Sequence, residues 1–456
     1  MLNHSRAAEA FNKDENRVNW HDKAIWHLRE NRDKGVYKIA QWQELRETAS
    51  NIKMDVLNHL DTYLDQFERA ATANGIHVHW AVDAAEHNDI VREILEKHKV
   101  KKLVKSKSML TEECHLNPYL EKNGFEIVDT DLGERIIQLA KESPSHITAP
   151  AIHKKMEEVD ELFQKNMGTR PANGNPKILV DAAREDLRKK FINAGAAITG
   201  VNFAIAESGG FVVCTNEGNA DMGVHLAPLH IACMGIEKLI PKTEHLGVFL
   251  RILARSANGQ SITSYSSHFF KPRNGQKMHI VILDNGRADQ LKSDDFRNSL
   301  KCIRCGACMN TCPVYRRSGG HSYGSIIPGP IGAILEPNKD MANYSSLPFA
   351  STLCGSCTDV CPVKIDIHSQ LYKWRQVIMK NHPDKVKKLV MKTNGAVLRN
   401  PKLYGFFGAL SRLIMRILPK SVLNNRANAW GKQRDLPVAP KLSFKEWLKE
   451  NRMKNG

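Results

Sequence analysis

Seven cysteines and the intervals between them limit this chain more than any other feature. They read Cys302-x2-Cys305-x2-Cys308-x3-Cys312-Pro313 and, about forty residues on, Cys354-x2-Cys357-x3-Cys361-Pro362. Intervals this short wrap a loop tightly enough for several sulfurs to converge on a compact iron–sulfur cubane. In bacterial two-cluster runs the cysteine before proline reaches across to the other cluster. Aligned backwards from the prolines, Cys361 matches Cys312, Cys357 matches Cys308 and Cys354 matches Cys305, while Ser351 stands where the first run has Cys302. Crossed ligation then yields one complete set, Cys302, Cys305, Cys308 and Cys361. The second set, Cys312, Cys354 and Cys357, is one thiolate short. Three readings stay open for it: a [3Fe–4S] centre, a non-cysteine ligand such as Ser351, or a cysteine borrowed from elsewhere. Gly306 and Gly355 lie between ligands, where a side chain would crowd the cluster or the turn.

Structural zinc asks for two clean ligand pairs and fits these runs poorly. Disulfides fit less well still. The first residues are polar and charged, with no apolar signal-peptide core, and clustered cysteines in a cytoplasmic chain point to metal. Cys114, Cys214 and Cys233 read as ordinary semi-buried thiols, any of them also available to lend a ligand.

At 456 residues, 42% apolar and 25% charged, the chain suits a soluble protein of two or three domains. No run approaches the roughly 18 apolar residues that span a bilayer. The net charge of +17 is concentrated at one end: Leu371–Gly456 holds 20 Lys and Arg against 4 Asp and Glu. Nucleic acid is not the expected partner, because no recognition motif accompanies this charge. Leu403–Leu418 is the most apolar stretch and carries Arg412 and Arg416. It suits a membrane surface, a partner's groove or the protein's own core.

Residues 1–73 read as helices, over Asn19–Arg32 and Ile39–Asp65. From Gly75 strands and helices alternate: strands at Ile76–Val82, Lys102–Lys105 and Phe125–Val128, helices near Asn88–Lys99 and Gly133–Lys141. That alternation implies a parallel sheet with crossover helices, an α/β fold. Lys105-Ser106-Lys107-Ser108 closes a strand, where it is either an anion-binding turn or a solvated basic one. A long helix at Pro176–Asn193 precedes a hairpin of Val201–Ala206 and Phe211–Thr215. Further strands are expected at Leu226–Met234, Ser261–Ser266 and Met278–Leu283, with a helix at Thr243–Arg255. Glu207, Glu217, Asn219, Asp221, His225 and His230 are polar groups among apolar segments, which marks a cleft, with Glu207 and Glu217 a possible carboxylate pair. A helix from Asp294 delivers Cys302. The Gly- and Pro-rich insert between the cysteine runs reads as non-helical, and the chain after Pro362 as helical to about Asn381.

The motifs Val128-Asp129-Thr130-Asp131-Leu132-Gly133-Glu134, Pro144-Ser145-His146-Ile147, Glu207-Ser208-Gly209-Gly210, Thr215-Asn216-Glu217-Gly218-Asn219-Ala220 and Ser264-Tyr265-Ser266-Ser267-His268 accompany both cysteine runs and Tyr323–Pro337. On these the chain resembles, over nearly its whole length, the LutB family (also called LldF or YkgF), the iron–sulfur subunit of a three-component L-lactate oxidation system. The resemblance implies a lactate-utilisation domain with a fold like that of the NagB/RpiA/CoA-transferase group, followed by an α-helical two-cluster ferredoxin-like domain. It also implies two [4Fe–4S] clusters on the seven cysteines, one with only three evident thiolates, and partners resembling the cysteine-rich LutA and the smaller LutC. The expected division is a helical region over 1–73, the α/β domain over 74–290, the cluster domain over 291–380 and a basic helical tail over 381–456. Its expected role is electron relay in the oxidation of L-lactate to pyruvate, in the cytoplasm or at the inner face of the membrane through the tail. No G-x-G-x-x-G follows a strand to hold a flavin or nicotinamide. The rival expectation is a catalytic subunit acting on lactate or a related 2-hydroxy acid in the α/β cleft.

Overall fold

The computed structural model describes residues 3–381, 385–423 and 437–452. It divides into two compact units, Met1–Val377 and Ile378–Gly456. The first opens with four helices: α1 (His4–Phe11), α2 (Glu15–Tyr37), α3 (Trp42–Asn58) and α4 (Leu60–Ala73). Asn3 and Asp14 cap the first two by accepting the amides of Arg6 and Arg17, which satisfies donors the helix start leaves bare. The single helix expected over Ile39–Asp65 is two, because His59 leaves helical geometry (φ −130°, ψ 36°) between α3 and α4.

Ten strands follow: β1 (His77–Ala81), β2 (Lys102–Lys105), β3 (Glu126–Asp129), β4 (Ala196–Gly200), β5 (Phe203–Ile205), β6 (Gly210–Thr215), β7 (Leu229–Gly235), β8 (Leu239–Ile240), β9 (Tyr265–Phe269) and β10 (Lys277–Leu283). Six form a wholly parallel sheet in the order β1-β10-β7-β4-β2-β3. Period-two alternation assigns each side chain to a face. Val104 and Ala197 join one apolar cluster with Leu187 and Phe191, while Leu103, Ala196 and Ile198 join the other with Val91 and Leu95. Helices therefore cover both faces, as the unbroken burial of β4 and β7 requires.

A second sheet, β8-β5-β6-β9, contains the antiparallel pair β5–β6 and shares an apolar cluster with the first through Ala204, Phe211 and Phe269. β9 lies four residues later than the expected Ser261–Ser266 at its start. Its register against β6 sets Phe269 opposite Phe211, so that both aromatic rings reach the core. Gly209 makes the β5–β6 turn in the left-handed region (φ +64°), and a Cβ there would stand 2.1 Å from the Ala71 amide nitrogen of α4.

The insert between the cysteine runs departs from the non-helical expectation. It holds a helix, Gly329–Lys339, and a short one, Met341–Tyr344. Pro330 falls in the first turn, where its missing N–H costs nothing. Its glycines serve close packing: a Cβ on Gly320 would lie 1.8 Å from the Ser145 carbonyl oxygen, and one on Gly332 1.5 Å from that of Ile327. The helix Ile367–Asn381 closes this part of the chain.

The second unit contains the helices Lys385–Arg399, Pro401–Ile417, Lys420–Leu423 and Phe444–Arg452. Of the basic tail expected over 381–456, residues 382–384, 424–436 and 453–456 lie outside the described residues. Asn400 caps Pro401–Ile417 by accepting the amides of Lys402 and Leu403. Among the described residues, no helix is long and apolar enough to cross a membrane.

Candidate metal centre and adjoining cavity

The cysteine loop begins at a 3-10 turn, Arg297–Lys301, and continues into the short helix Ala307–Thr311. Gly306 turns the chain between Cys305 and Cys308 at φ +78°, where a Cβ would press on the His146 ring at 3.2 Å. The fold brings Cys302, Cys305, Cys308 and Cys361 around one small apolar cavity, walled by Ile303, Ile331 and Ile365. Cys312, Cys354 and Cys357 form a second group, each close enough to disfavour the thiolate of another. Cys308 of the first group feels Cys357 of the second, so the two groups are neighbours. No two of the ten cysteines are joined in a disulfide.

The surroundings suit anionic sulfur. Backbone amides point at three sulfurs: Ile365 to Cys361 at 3.3 Å, Arg304 to Cys302 at 3.4 Å and Tyr315 to Cys312 at 3.5 Å. Burial pushes the thiols of Cys305, Cys308, Cys312 and Cys361 up, and that of Cys357 to about 12. Bare thiolates are therefore costly here unless cations balance them. Arg46 of α3 supplies one, its Nε and Nη2 donating to the Cys361 carbonyl at 3.0 and 2.8 Å. Arg32 of α2 donates to the Val360 carbonyl at 3.2 Å. Lys301 donates to Ser50 at 2.9 Å. The sulfurs, amides and cations together fit iron–sulfur clusters.

Ser351 stays close to this group in sequence, but its Oγ accepts the Leu353 amide at 3.1 Å, in the turn that presents the exposed Cys354. Cys114 and Cys233 are buried in the sheet's core, and Cys214 is half-buried. His146 anchors the loop: Nδ1 accepts the amides of Thr148 and Ala149, and Nε2–H donates to Asn310 Oδ1 at 2.9 Å. Asn310 in turn donates to the Ala257 carbonyl. The contacts that the N-terminal helices make with the cysteine loop were not visible in sequence patterns, since Arg46 and Cys361 are 315 positions apart.

Beside the cysteine loop lies a cavity of about 440 Å³. It opens at the C-terminal ends of β2, β3, β4, β7 and β10, where the strand order reverses and α/β sheets hold ligands. Leu28 of α2, the helix Leu246–Asn258 and Arg304 complete its wall. Of the expected cleft residues, Glu217 and Asn219 line it. Glu207 does not join them: it is exposed, and its carboxylate accepts the Thr243 amide at 3.1 Å. Asp221 accepts from Ser267, His225 is exposed on the helix Asn219–Leu226, and His230 is buried against Thr199 at 2.9 Å.

The turn at Lys105–Ser108 is neither solvated nor a free anion site. Lys105 is wholly buried, 2.7 Å from Glu112, 2.8 Å from Asp129 and 3.8 Å from Glu134. Its ammonium fills the centre of that carboxylate trio. Lys107 pairs with Asp131 at 3.0 Å. Glu142, His153 and His321 also converge, but Lys154 pairs with Glu142 at 2.5 Å and His321 Nε2 donates to the Ser143 carbonyl.

Three family models match the chain: a LUD domain over residues 64–286, a 4Fe–4S dicluster domain over 298–365 and a "Lactate utilisation protein B, C-terminal" model over 379–453. The dicluster match makes two [4Fe–4S] clusters the cofactors of this segment. A "Lactate utilization protein B" of Shouchella clausii is 42% identical over 435 residues, covering 92% of this chain and 90% of that one. Its counterpart in Bacillus pumilus is 41% identical over 437 residues, covering 93% and 92%. A crystal structure of a DUF162 family protein from Deinococcus radiodurans aligns with 49% of this chain and 98% of its own at 12% identity. Its TM-score of 0.27 is too low to bear on the fold.

Proposed function

The chain belongs to the lactate utilization protein B family, and from that premise we propose that it is the electron-transfer subunit of a complex oxidising L-lactate to pyruvate. The observation that carries this reading is the adjacency of the two cysteine groups, with Cys361 of the second run gathered to Cys302, Cys305 and Cys308 of the first. Those four are the ligands of one cluster, and Cys312, Cys354 and Cys357 are those of the other. When bound, the clusters supply one-electron storage at two neighbouring centres. The chain's own residues exclude water from them with Ile303, Ile331 and Ile365, and offset their negative charge with Arg46, Arg32 and Lys301.

Removing two electrons and two protons from a hydroxy acid needs more than one-electron centres, so the partners are a LutA-like cysteine-rich subunit and a LutC-like subunit. The test is anaerobic purification followed by iron and acid-labile sulfide analysis and electron paramagnetic resonance. Cys305→Ala is expected to remove one cluster's signal and Cys357→Ala the other's. An iron-free or zinc-loaded protein would overturn the reading. The 440 Å³ cavity favours a second reading, substrate chemistry in the α/β domain itself. Sustained lactate turnover by the isolated chain with an artificial acceptor would establish it.

A further inference from the structure

The large cavity and the small one around the first cysteine group share two wall residues, Ile147 and Arg304. At that shared wall the cavity is cationic. Arg287 bridges Glu237 at 2.8 Å and Glu113 at 3.1 Å, and Lys339 reaches Glu113 at 2.9 Å, so both acids are already engaged. Burial pushes nearby Glu336 towards its neutral form. Two cations are left over. Arg304 Nη1 is buried without a hydrogen-bond partner. Lys238 also lines the cavity, and among the described residues no hydrogen bond or ion pair reaches its ammonium. Of the charges around it, Lys238 feels the Glu237 carboxylate first, then repulsion from Arg304 and the charge of Cys302. Arg304 also feels Glu237, so four cations, Arg287, Lys339, Arg304 and Lys238, share the two acids Glu237 and Glu113.

The backbone of Arg304 sits in the left-handed region at φ +60°, as Leu353 does at φ +55° in the matching place before Cys354, so this conformation belongs to the turn of the cysteine loop itself. Among the described residues, no aromatic ring lines the cavity. A small acid needs none.

We propose that this end of the cavity binds the carboxylate of a small 2-hydroxy or 2-oxo acid, held between Arg304 and Lys238 one residue layer from the first cysteine group. The class of acid rests on the lactate reading above, whereas the anion site rests on the two unpaired cations. A planar guanidinium matches a carboxylate in two-point fashion, and an ammonium adds a point charge from another segment of the chain.

The full chain, purified anaerobically with its iron content verified, is titrated calorimetrically with L-lactate, pyruvate, uncharged L-lactamide and inorganic phosphate. Lactate or pyruvate is expected to bind and to shift the resonance spectrum of the first cluster, with lactamide at least tenfold weaker. Lys238→Met and Arg304→Gln are each expected to weaken binding at least tenfold, with partial rescue in Arg304→Lys. Lys238 is remote in sequence from the cysteines, so its variant keeps the test open if the loop variant fails to assemble. No lactate or pyruvate binding by the cluster-loaded chain would overturn this site and leave the relay reading standing. Equal binding of phosphate would overturn the acid class. Variants that change the clusters' potentials without affecting binding would show that the two cations serve only to balance cluster charge.

Discussion

Arg46 illustrates how one side chain, far away in sequence, decides whether a metal loop keeps its shape. Its guanidinium is buried and spans the carbonyls of Cys361 and Asp359, at 2.8 and 2.7 Å from Nη2. Arg46→Met removes the side-chain donors to both carbonyls and leaves that of Cys361 only the Lys364 amide at 3.2 Å, at a cost of about 1–3 kcal/mol. The expected outcome is preferential loss of the cluster that includes Cys361, read as halved iron with the other resonance signal retained. Arg46→Lys is expected to recover only part, because an ammonium cannot span both carbonyls as a planar fork does. Histidines set a different limit. Burial holds His230 and His279 down to about 3, and the neighbouring His79, His77 and His98 add to the effect at His279. Their ordinary value is about 6.5. Below that pH the unfolded chain takes up protons that the native one refuses, so native stability falls as pH drops from about 6.5 towards 3. The urea midpoint is expected to be lower at pH 5.5 than at pH 7.5, with a smaller drop in His279→Gln. An unchanged midpoint would show that these rings are not held neutral.

The elements divide between those written locally and those imposed from a distance. β2 occupies the expected Lys102–Lys105, and the helix Pro176–Ile192 falls one residue short of the expected Pro176–Asn193. Both are fixed by period and capping, which short stretches of sequence carry. The cysteine intervals were equally legible, because a cubane sets the spacing of its own ligands. The insert was misread because Gly and Pro act as breakers only when their local geometry is exposed. Here Pro330 starts a helix, and Gly332 lets that helix settle onto the Ile327 carbonyl. Glu207 and Glu217 looked like a pair, but the small sheet turns Glu207 outward towards Thr243. The cavity beside the cysteine loop was legible only through Glu217 and Asn219, because its other walls come from segments whose meeting no local pattern records. The β5–β6 turn gives a direct test of such a meeting. Gly209→Ala adds a methyl group in a left-handed backbone, against the α4 backbone at 2.1 Å. The strain alone is worth about 1–3 kcal/mol, and the overlap adds to it. A clear fall in thermal midpoint is expected, whereas an unchanged one would mean the hairpin is not pinned to α4.

At the scale of the whole molecule, charge is separated from the core. Nearly all of the +17 lies after residue 370, largely in the unit Ile378–Gly456, while the unit Met1–Val377 carries the sheets and the cysteines. The helix Pro401–Ile417 has no buried residue and no acidic one, and bears Arg412 and Arg416 beside Phe406, Phe407, Leu410 and Ile414. An apolar face flanked by basic groups is what an interfacial helix needs to lie at an anionic lipid surface. Each basic residue near such a surface is worth about 1 kcal/mol, so a few engaged residues would give reversible attachment, weakened by salt as screening shortens. The full chain is therefore expected to sediment with vesicles of phosphatidylglycerol at low ionic strength, less so at high, and not with neutral phosphatidylcholine. Deleting Asn400–Gly456 is expected to abolish this binding while iron and sulfide content stay at the full-chain level. Binding that needs the LutA-like or LutC-like subunit instead of lipid would move the docking role to a protein partner. A truncated chain that loses its clusters would make the tail part of the cluster domain's own structure, and the lipid assignment would fall with it.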